Sequence, residues 1–267
     1  MSKYWAERQA KAQEILTNKS IRETEKQLAK YYGRSMKKIL GQFELIYNKI
    51  FSKLEKGEDI TPADLYKLDT YWELQGQLRN ELQKLGEKQL VLLSDNFEKQ
   101  FFDIYDAISI PSATAFSRID KAGAKQMINQ IWCADGKSWS NRVWINTDKL
   151  QQALNDNLIN CVVAGKKPTQ LKKILQEQFN VSYRRADTLI RTEMAHIQTI
   201  SAKQRYEDYG LRYYEILGNE DDTCGNHSGK DCHELHGKKF LYSEMATGVN
   251  APPFHPNCRC CIIPVIE

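Results

Sequence analysis

The sequence predicts a mainly α-helical protein that ends in a small α+β unit, and three observations carry that prediction. Apolar residues recur at three- and four-residue spacing through much of the first 210 positions, the period of amphipathic helices. After Gly210 the texture changes to short aromatic and β-branched runs separated by glycine-rich loops. Five of the seven cysteines and four of the five histidines fall between Cys224 and Cys261. The predicted layout is a long helical hairpin over residues 1–111, a central helical bundle over 112–210, and a Cys/His-rich knot over 211–267.

Residues 3 to 56 read as one or two long helices. The apolar stripe runs through Met36, Ile39, Leu40, Phe43, Ile46, Tyr47, Ile50 and Leu54, with a bend expected at Gly33 or Gly41. The stripe is narrow, so the helix needs a partner helix, from its own chain or from another copy through self-association. Gly57 ends it. Thr61-Pro62-Ala63-Asp64 starts the next helix, with threonine as N-cap, proline at the first helical position and aspartate at the positive end of the helix dipole. Its stripe runs from Leu65, Leu68 and Trp72 to Ile108, and Pro111 stops it.

Residues 113–132 suggest a further helix, and Asp135-Gly136 a turn. Trp139 and Trp144 flank Arg142, which reads as a core corner with a stacked guanidinium ahead of a nucleobase platform. Helices are expected over 148–163, with Gly165 as C-terminal cap, over 168–179, and from a Ser182 cap to Tyr209. Glu193 and His196 share a face of the last of these. They make only half of a di-iron-type ligand set, so an Arg–Glu network tying this helix to the knot is the preferred reading. Strands are expected at 211–217, 239–242 and 261–266.

The chain carries 38 Lys and Arg against 34 Asp and Glu, a net charge of +4, and its mean hydropathy is −0.60. That balance permits contact with nucleic acid without requiring it. No apolar run approaches the ~20 residues that span a bilayer. The N-terminal MSKYWAERQAKAQEIL lacks the apolar core of a signal peptide. The expectation is a product folded in a reducing cytoplasm, where an odd number of cysteines fits metal binding better than a disulfide framework.

A sheet this small commonly needs a staple, and the soft donors gathered in the knot suit tetrahedral zinc. The first assignment is Cys224, Cys232, Cys258 and Cys260, with His255 as the substitute and His227, His233 and His236 as lesser candidates. A closed structural site is favoured over a catalytic one, because neither Glu234 nor Glu244 stands at a diagnostic spacing for a general base.

The motif order then resembles a known family. Trp139, Ser140, Arg142 and Trp144 are followed by Arg191-Thr192-Glu193 and by Asp222, Thr223 and Cys224. Cys232, Leu235, Gly237, Lys238 and Phe240 come next, then Pro252, Pro253, His255, Pro256, Cys258, Arg259 and Cys260. This succession, over roughly residues 139 to 264, resembles the Mu F-like head morphogenesis proteins, the minor head (minor capsid) proteins of tailed phages. One departure is that seven residues separate Cys224 from Cys232, where the family commonly has Cys-x-x-Cys.

The resemblance implies a non-enzymatic assembly protein of the virion, made in the bacterial host cytoplasm. Its implied partners are the portal protein and other head proteins. Contact with phage DNA would be weak and non-specific, and no membrane is involved. The alternative is a metal-dependent nuclease or other hydrolase using the Cys/His site.

Overall fold

A computed structural model describes residues 3–56, 61–110, 117–218 and 232–265. Among them are six α-helices and one three-stranded antiparallel sheet, a mainly α protein with a small C-terminal α+β unit. Helix α1 (Lys3–Leu54) is continuous. It runs through Gly33 and Gly41, so the expected bend produces no break in it. The start of α2 (Pro62–Tyr66) is a capping box. The Asp64 N–H donates to Thr61 Oγ1 at 3.3 Å, and the Thr61 N–H donates to Asp64 Oδ2 at 3.1 Å.

This second helix stops at Lys67, and α3 (Asp69–Ala107) starts afresh. The restart rotates the apolar stripe. Tyr71, Leu74 and Leu78 are buried, whereas Trp72, placed on the stripe by a single-helix reading, is 57 % exposed. Pro111 lies outside the described residues.

Helix α4 (Lys121–Ile128) is capped by Asp120. Helix α5 (Trp139–Val163) begins at Trp139, so the tryptophan segment is the first two turns of a helix and not a separate corner. Gly165, at φ 58°, ends it, with the Lys166 N–H returning to the Cys161 carbonyl at 2.9 Å. Helix α6 (Pro168–Asp208) is a single 41-residue helix, which corrects the two-helix reading around Ser182. Ser182 lies inside α6, buried. Its hydroxyl meets Tyr32 Oη at 3.1 Å and its carbonyl accepts from Asn146 Nδ2 at 2.9 Å. Tertiary partners thus use the serine that local pattern assigns to a cap.

The chain forms two compact units that cut across sequence order. Unit 2 (Lys26–Val91 and Ser140–Asp187) draws on α1, α2, α3, α5 and α6. Leu28, Ile39, Leu78, Leu154 and Leu175 are among its buried side chains. Tyr47 is buried as well, and its hydroxyl donates to the Lys166 carbonyl at 2.6 Å. Burial pushes that phenol up to about 12.

Unit 1 (Met1–Glu25, Leu92–Trp139 and Thr188–Glu267) contains the sheet. Its strands are β1 (Tyr213–Leu217), β2 (Lys239–Leu241) and β3 (Cys261–Val265), in the order β2-β1-β3, with Tyr214 opposite both Phe240 and Pro264. Each strand is five residues or shorter. One face is buried in a cluster with Ile104, Tyr206, Tyr214, Tyr242 and Ile262 at its centre. On the other, Cys261 and Ile263 pack with Leu217 against Ala6 and Ala10 of α1, whose small side chains let the helix approach.

Candidate functional site: the cysteine–histidine knot

The knot gathers at the turn that leads into β3. His255-Pro256-Asn257-Cys258 has the residue types of a type II turn. Proline is second, and asparagine, which tolerates the left-handed region, is third at φ 60°. The Cys258 N–H donates to the His255 carbonyl at 3.2 Å and closes it. The turn brings the first and fourth side chains, His255 and Cys258, to one place. The 3-10 helix Cys232–Leu235 supplies the facing thiol. Cys232, Cys258 and Cys260 form one buried cluster, with Phe254 packed against it.

Cys232 Sγ stands 3.6 Å from His255 Nε2. The imidazole's other nitrogen, Nδ1, is 2.9 Å from the Pro256 carbonyl. A proton on Nδ1 satisfies that carbonyl and leaves the Nε2 lone pair facing the thiol, the tautomer a metal-ligating histidine uses.

The donor set can be tested against zinc. Zn–S and Zn–N bonds of about 2.3 and 2.0–2.1 Å at a tetrahedral angle place S and N about 3.6 Å apart. The Cys232–His255 pair has that separation. Among the described residues, no group of three or more His, Cys, Asp and Glu side chains is arranged to hold a metal ion as it stands. Cys224, in the first assignment, lies outside the described residues, as do His227, Asp222 and Thr223. The residues present therefore supply one tetrahedral edge and two more thiols packed beside it.

Cys261 is set apart from the other thiols. Alternation along β3 turns it to the face that packs on α1, and burial, followed by the fields of Glu14 and Cys258, pushes its thiol up to about 12. His233 and His236 are exposed, and His236 Nδ1 accepts the Gly218 N–H at 3.0 Å. Glu234 and Glu244, the carboxylates considered as a general base, are both exposed.

The motif on α6 lies beside this turn. Thr192 makes the tie: its hydroxyl donates to the Thr188 carbonyl at 2.7 Å and accepts the Asn257 N–H at 3.1 Å. Arg191 pairs with Glu25 of α1. Glu193, buried, accepts Trp132 Nε1–H at 3.1 Å. Among the described contacts, Thr192 ties this helix to the knot, while Arg191 engages α1 and Glu193 engages Trp132. His196, one turn further on, stacks on Trp132 with ring centroids 4.7 Å apart. Neither Asn257 nor Trp132 stands out in the sequence, although proline followed by asparagine between two donors is a turn signal.

In the tryptophan motif, Trp139 is buried edge-on to Phe97, with centroids 5.4 Å apart. Trp144 covers Gly86 of α3, where an added Cβ would come within 2.5 Å of Cζ3. Arg142 is half-buried. Both indoles are used in packing.

Fold and site together define a mainly helical protein with a small C-terminal sheet, preceded by a turn that gathers thiols and an imidazole and is tied to α6 through Thr192. Residues 152–263 match the family described as Phage Mu protein F like protein. The matched stretch includes the C-terminal half of α5, all of α6 and the described Cys/His donors of the knot.

A curated relative is an NAD(+)–arginine ADP-ribosyltransferase of Enterococcus faecalis, 26 % identical over 144 residues. The match covers 49 % of this chain and 29 % of that protein, so less than a third of the relative's length is spanned. No solved structure matches the chain.

Proposed function

We propose that this chain is a minor head protein of a tailed phage, acting in head morphogenesis beside the portal protein and other head proteins, with its knot serving as a structural zinc staple. The observation that carries the reading is the Mu F-like match over residues 152–263, which covers both partners of the Thr192–Asn257 tie. The coarse reading, a phage head morphogenesis protein located in the virion, rests on that match. Portal contact, weak DNA contact and self-association through the N-terminal helices are its finer parts. No helix among the described residues is long and apolar enough to cross a membrane.

In the staple, Cys232, His255, Cys258 and Cys260 are the candidate ligands, with Cys224 retained from the sequence. A bound zinc would neutralise thiolate charge and cross-link the 3-10 helix to the turn before β3. The ion's role is to hold structure. The exposed positions of Glu234 and Glu244 offer no positioned base, and the ADP-ribosyltransferase match lends no support to a nuclease or other hydrolase.

The test is quantitative mass spectrometry of density-purified particles from the source strain, read against the portal protein. Presence at a stoichiometry comparable to the portal is the expected result. Absence from both precursor and mature particles would overturn the assignment.

A further inference from the structure

The junction of α2 and α3 in unit 2 carries an aromatic patch that helix packing does not use up. Tyr66 and Trp72 are 46 % and 57 % exposed, while Tyr71, between them in sequence, is buried. Tyr71 stands edge-on to both, with centroids 5.4 Å apart in each pair. The Tyr66 and Trp72 rings are 6.2 Å apart and tilted by 33°.

The rings are fixed from inside. The Tyr71 hydroxyl donates to Asn155 Oδ1 at 2.8 Å, and Trp72 Nε1–H donates to the Tyr66 carbonyl at 2.9 Å. The indole therefore presents ring surface outward and not a donor. Rings already held in place lose little freedom when a partner lands on them. Gly76, exposed one turn beyond Trp72, has open space where a Cβ would stand. A glycine inside a helix is destabilising, and here it leaves bare backbone beside the indole for a partner's side chain.

The surroundings are acidic. Asp69 stands one turn before Trp72 and Glu73 one turn after Asp69, both exposed. Asp156 of α5 is exposed too, and its field, after burial and that of Tyr66, raises the Tyr71 phenol. Among the described residues none of these three carboxylates is in an ion pair. Lys67 is held by Asp64 at 3.2 Å. Arg79 is seven residues beyond Trp72, about 10 Å along the axis.

Rings elsewhere in the chain already carry a cation. In unit 1, Arg8 lies over Trp5, Arg205 over Tyr105 and Tyr209, and Arg212 over Tyr213. Among the described residues no guanidinium or ammonium lies over Tyr66, Tyr71 or Trp72. Ring faces beside unpaired carboxylates attract a cation. A guanidinium suits both, since it stacks on a ring while its fork of N–H groups meets a carboxylate.

We propose that the α2–α3 patch docks an arginine-bearing segment of a partner protein, with guanidinium groups stacking on Tyr66 and Trp72 and donating to Asp69 and Glu73. The proposal goes beyond the head-protein reading and does not rest on it.

The experiment uses the full chain and a fluorescein-labelled peptide of four arginines alternating with glycines, with anisotropy read across a salt series. Tyr66→Leu with Trp72→Leu removes the rings and leaves net charge unchanged. Asp69→Asn with Glu73→Gln removes the carboxylates and leaves the rings. Glu87→Gln with Asp95→Asn takes the same net charge from exposed acids elsewhere on α3.

Wild type is expected to bind the peptide, and to bind its lysine counterpart more weakly. The ring variant should bind the arginine peptide about fivefold or more weakly. The carboxylate variant should bind more weakly at low salt and with a flatter salt dependence. The third variant should stay close to wild type. Melting curves are read alongside, and the carboxylate variant decides the matter if the ring variant does not fold. The proposal is overturned by absence of peptide binding, by a folded ring variant that binds as wild type does, or by equal losses in the two charge variants. Self-association of wild type that the ring variant abolishes would put a second copy of this chain on the patch, and would overturn it as well. None of these outcomes depends on finding the chain in particles.

Discussion

The helical packing of unit 2 and the sheet with its knot in unit 1 are held together by different means. Unit 2 is built from long helical segments whose leucines and aromatics recur at helical spacing, and its buried polar groups pair with one another or with the backbone, as Ser35 does with Glu81 and Tyr47 with the Lys166 carbonyl. The knot is built from strands of three to five residues, and its thiol cluster holds three cysteines with one phenylalanine against them. Many apolar contacts stabilise the first without cross-links. A unit as small as the second gains stability from a bridge between a few fixed groups. The contrast teaches where each part is vulnerable: packing volume in the one, single donor atoms in the other.

The sharpest way to break this contrast is to test the proposed zinc staple by removing it. Chelation, or His255→Ala, is expected to strip zinc and cost the sheet about 3 kcal/mol or more of local stability. Hydrogen exchange would then speed up in β1 and β3 while Leu78 and Leu154 in unit 2 keep their protection. His255→Cys, which restores a soft donor, should retain stoichiometric zinc. If wild type purified under reducing conditions carries no zinc and exchange is unchanged by chelator, the staple is absent.

A second test concerns acid. His196 is buried against Trp132, and burial holds its imidazole down at about 3, against an ordinary value near 6.5. Above pH 6.5 the ring is neutral in both folded and unfolded chains. Below it, the unfolded chain takes up a proton that the folded one refuses. Stability therefore falls with decreasing pH by up to about 1.4 kcal/mol per unit until the folded value is approached. His196→Phe, which keeps a ring on Trp132, should flatten the melting temperature between pH 6.5 and 4.5. An unaltered pH slope in that variant would mean that His196 does not set it.

What was legible in the sequence follows the same division. Helical spacing revealed the helices, since each stripe is a local repeat, and the capping box of Thr61 and Asp64 is local too. The restart after Lys67 was not legible: no glycine or proline marks it, so Trp72 fell on the wrong side of the stripe. Ser182 misled for the opposite reason, because its local character as a cap is overridden by Tyr32 and Asn146. Composition alone pointed to the knot, and the turn chemistry of Pro256-Asn257 explains how His255 and Cys258 meet. The Thr192–Asn257 tie spans 65 residues through a hydroxyl and one N–H, and such a bond leaves no periodic trace.

Within unit 2, the matching test is one of volume. Gly86→Ala would place a Cβ 2.5 Å from the rigid Trp144 ring. The helix propensity gain of at most ~1 kcal/mol is outweighed by an overpacking cost of about 1–3 kcal/mol. Exchange should quicken around α3 and α5 of unit 2 and leave β3 as it was. Trp144→Leu, smaller and more flexible, should relieve the clash in the double variant. If Gly86→Ala instead stabilised the protein, the indole would not be seated on that glycine.

The smallest effect expected is also the most diagnostic for the knot. Thr192→Val keeps shape and β-branching on α6 but removes the hydroxyl that accepts the Asn257 N–H. That N–H belongs to an exposed turn residue, so water can replace the threonine and the cost is about 1 kcal/mol, well short of a buried orphan donor. The variant also loses the bond to the Thr188 carbonyl, which is internal to α6 and slightly unfavourable for a helix, so little stability is lost there. The readout that separates docking from folding is zinc affinity. A turn no longer held on α6 presents His255 and Cys258 less rigidly, and zinc should dissociate faster than in wild type. Thr192→Ser, which restores the acceptor without the methyl group, should recover most of that rate. If both variants release zinc as wild type does, the turn is organised by its own proline and asparagine, and the α6 tie contributes only packing.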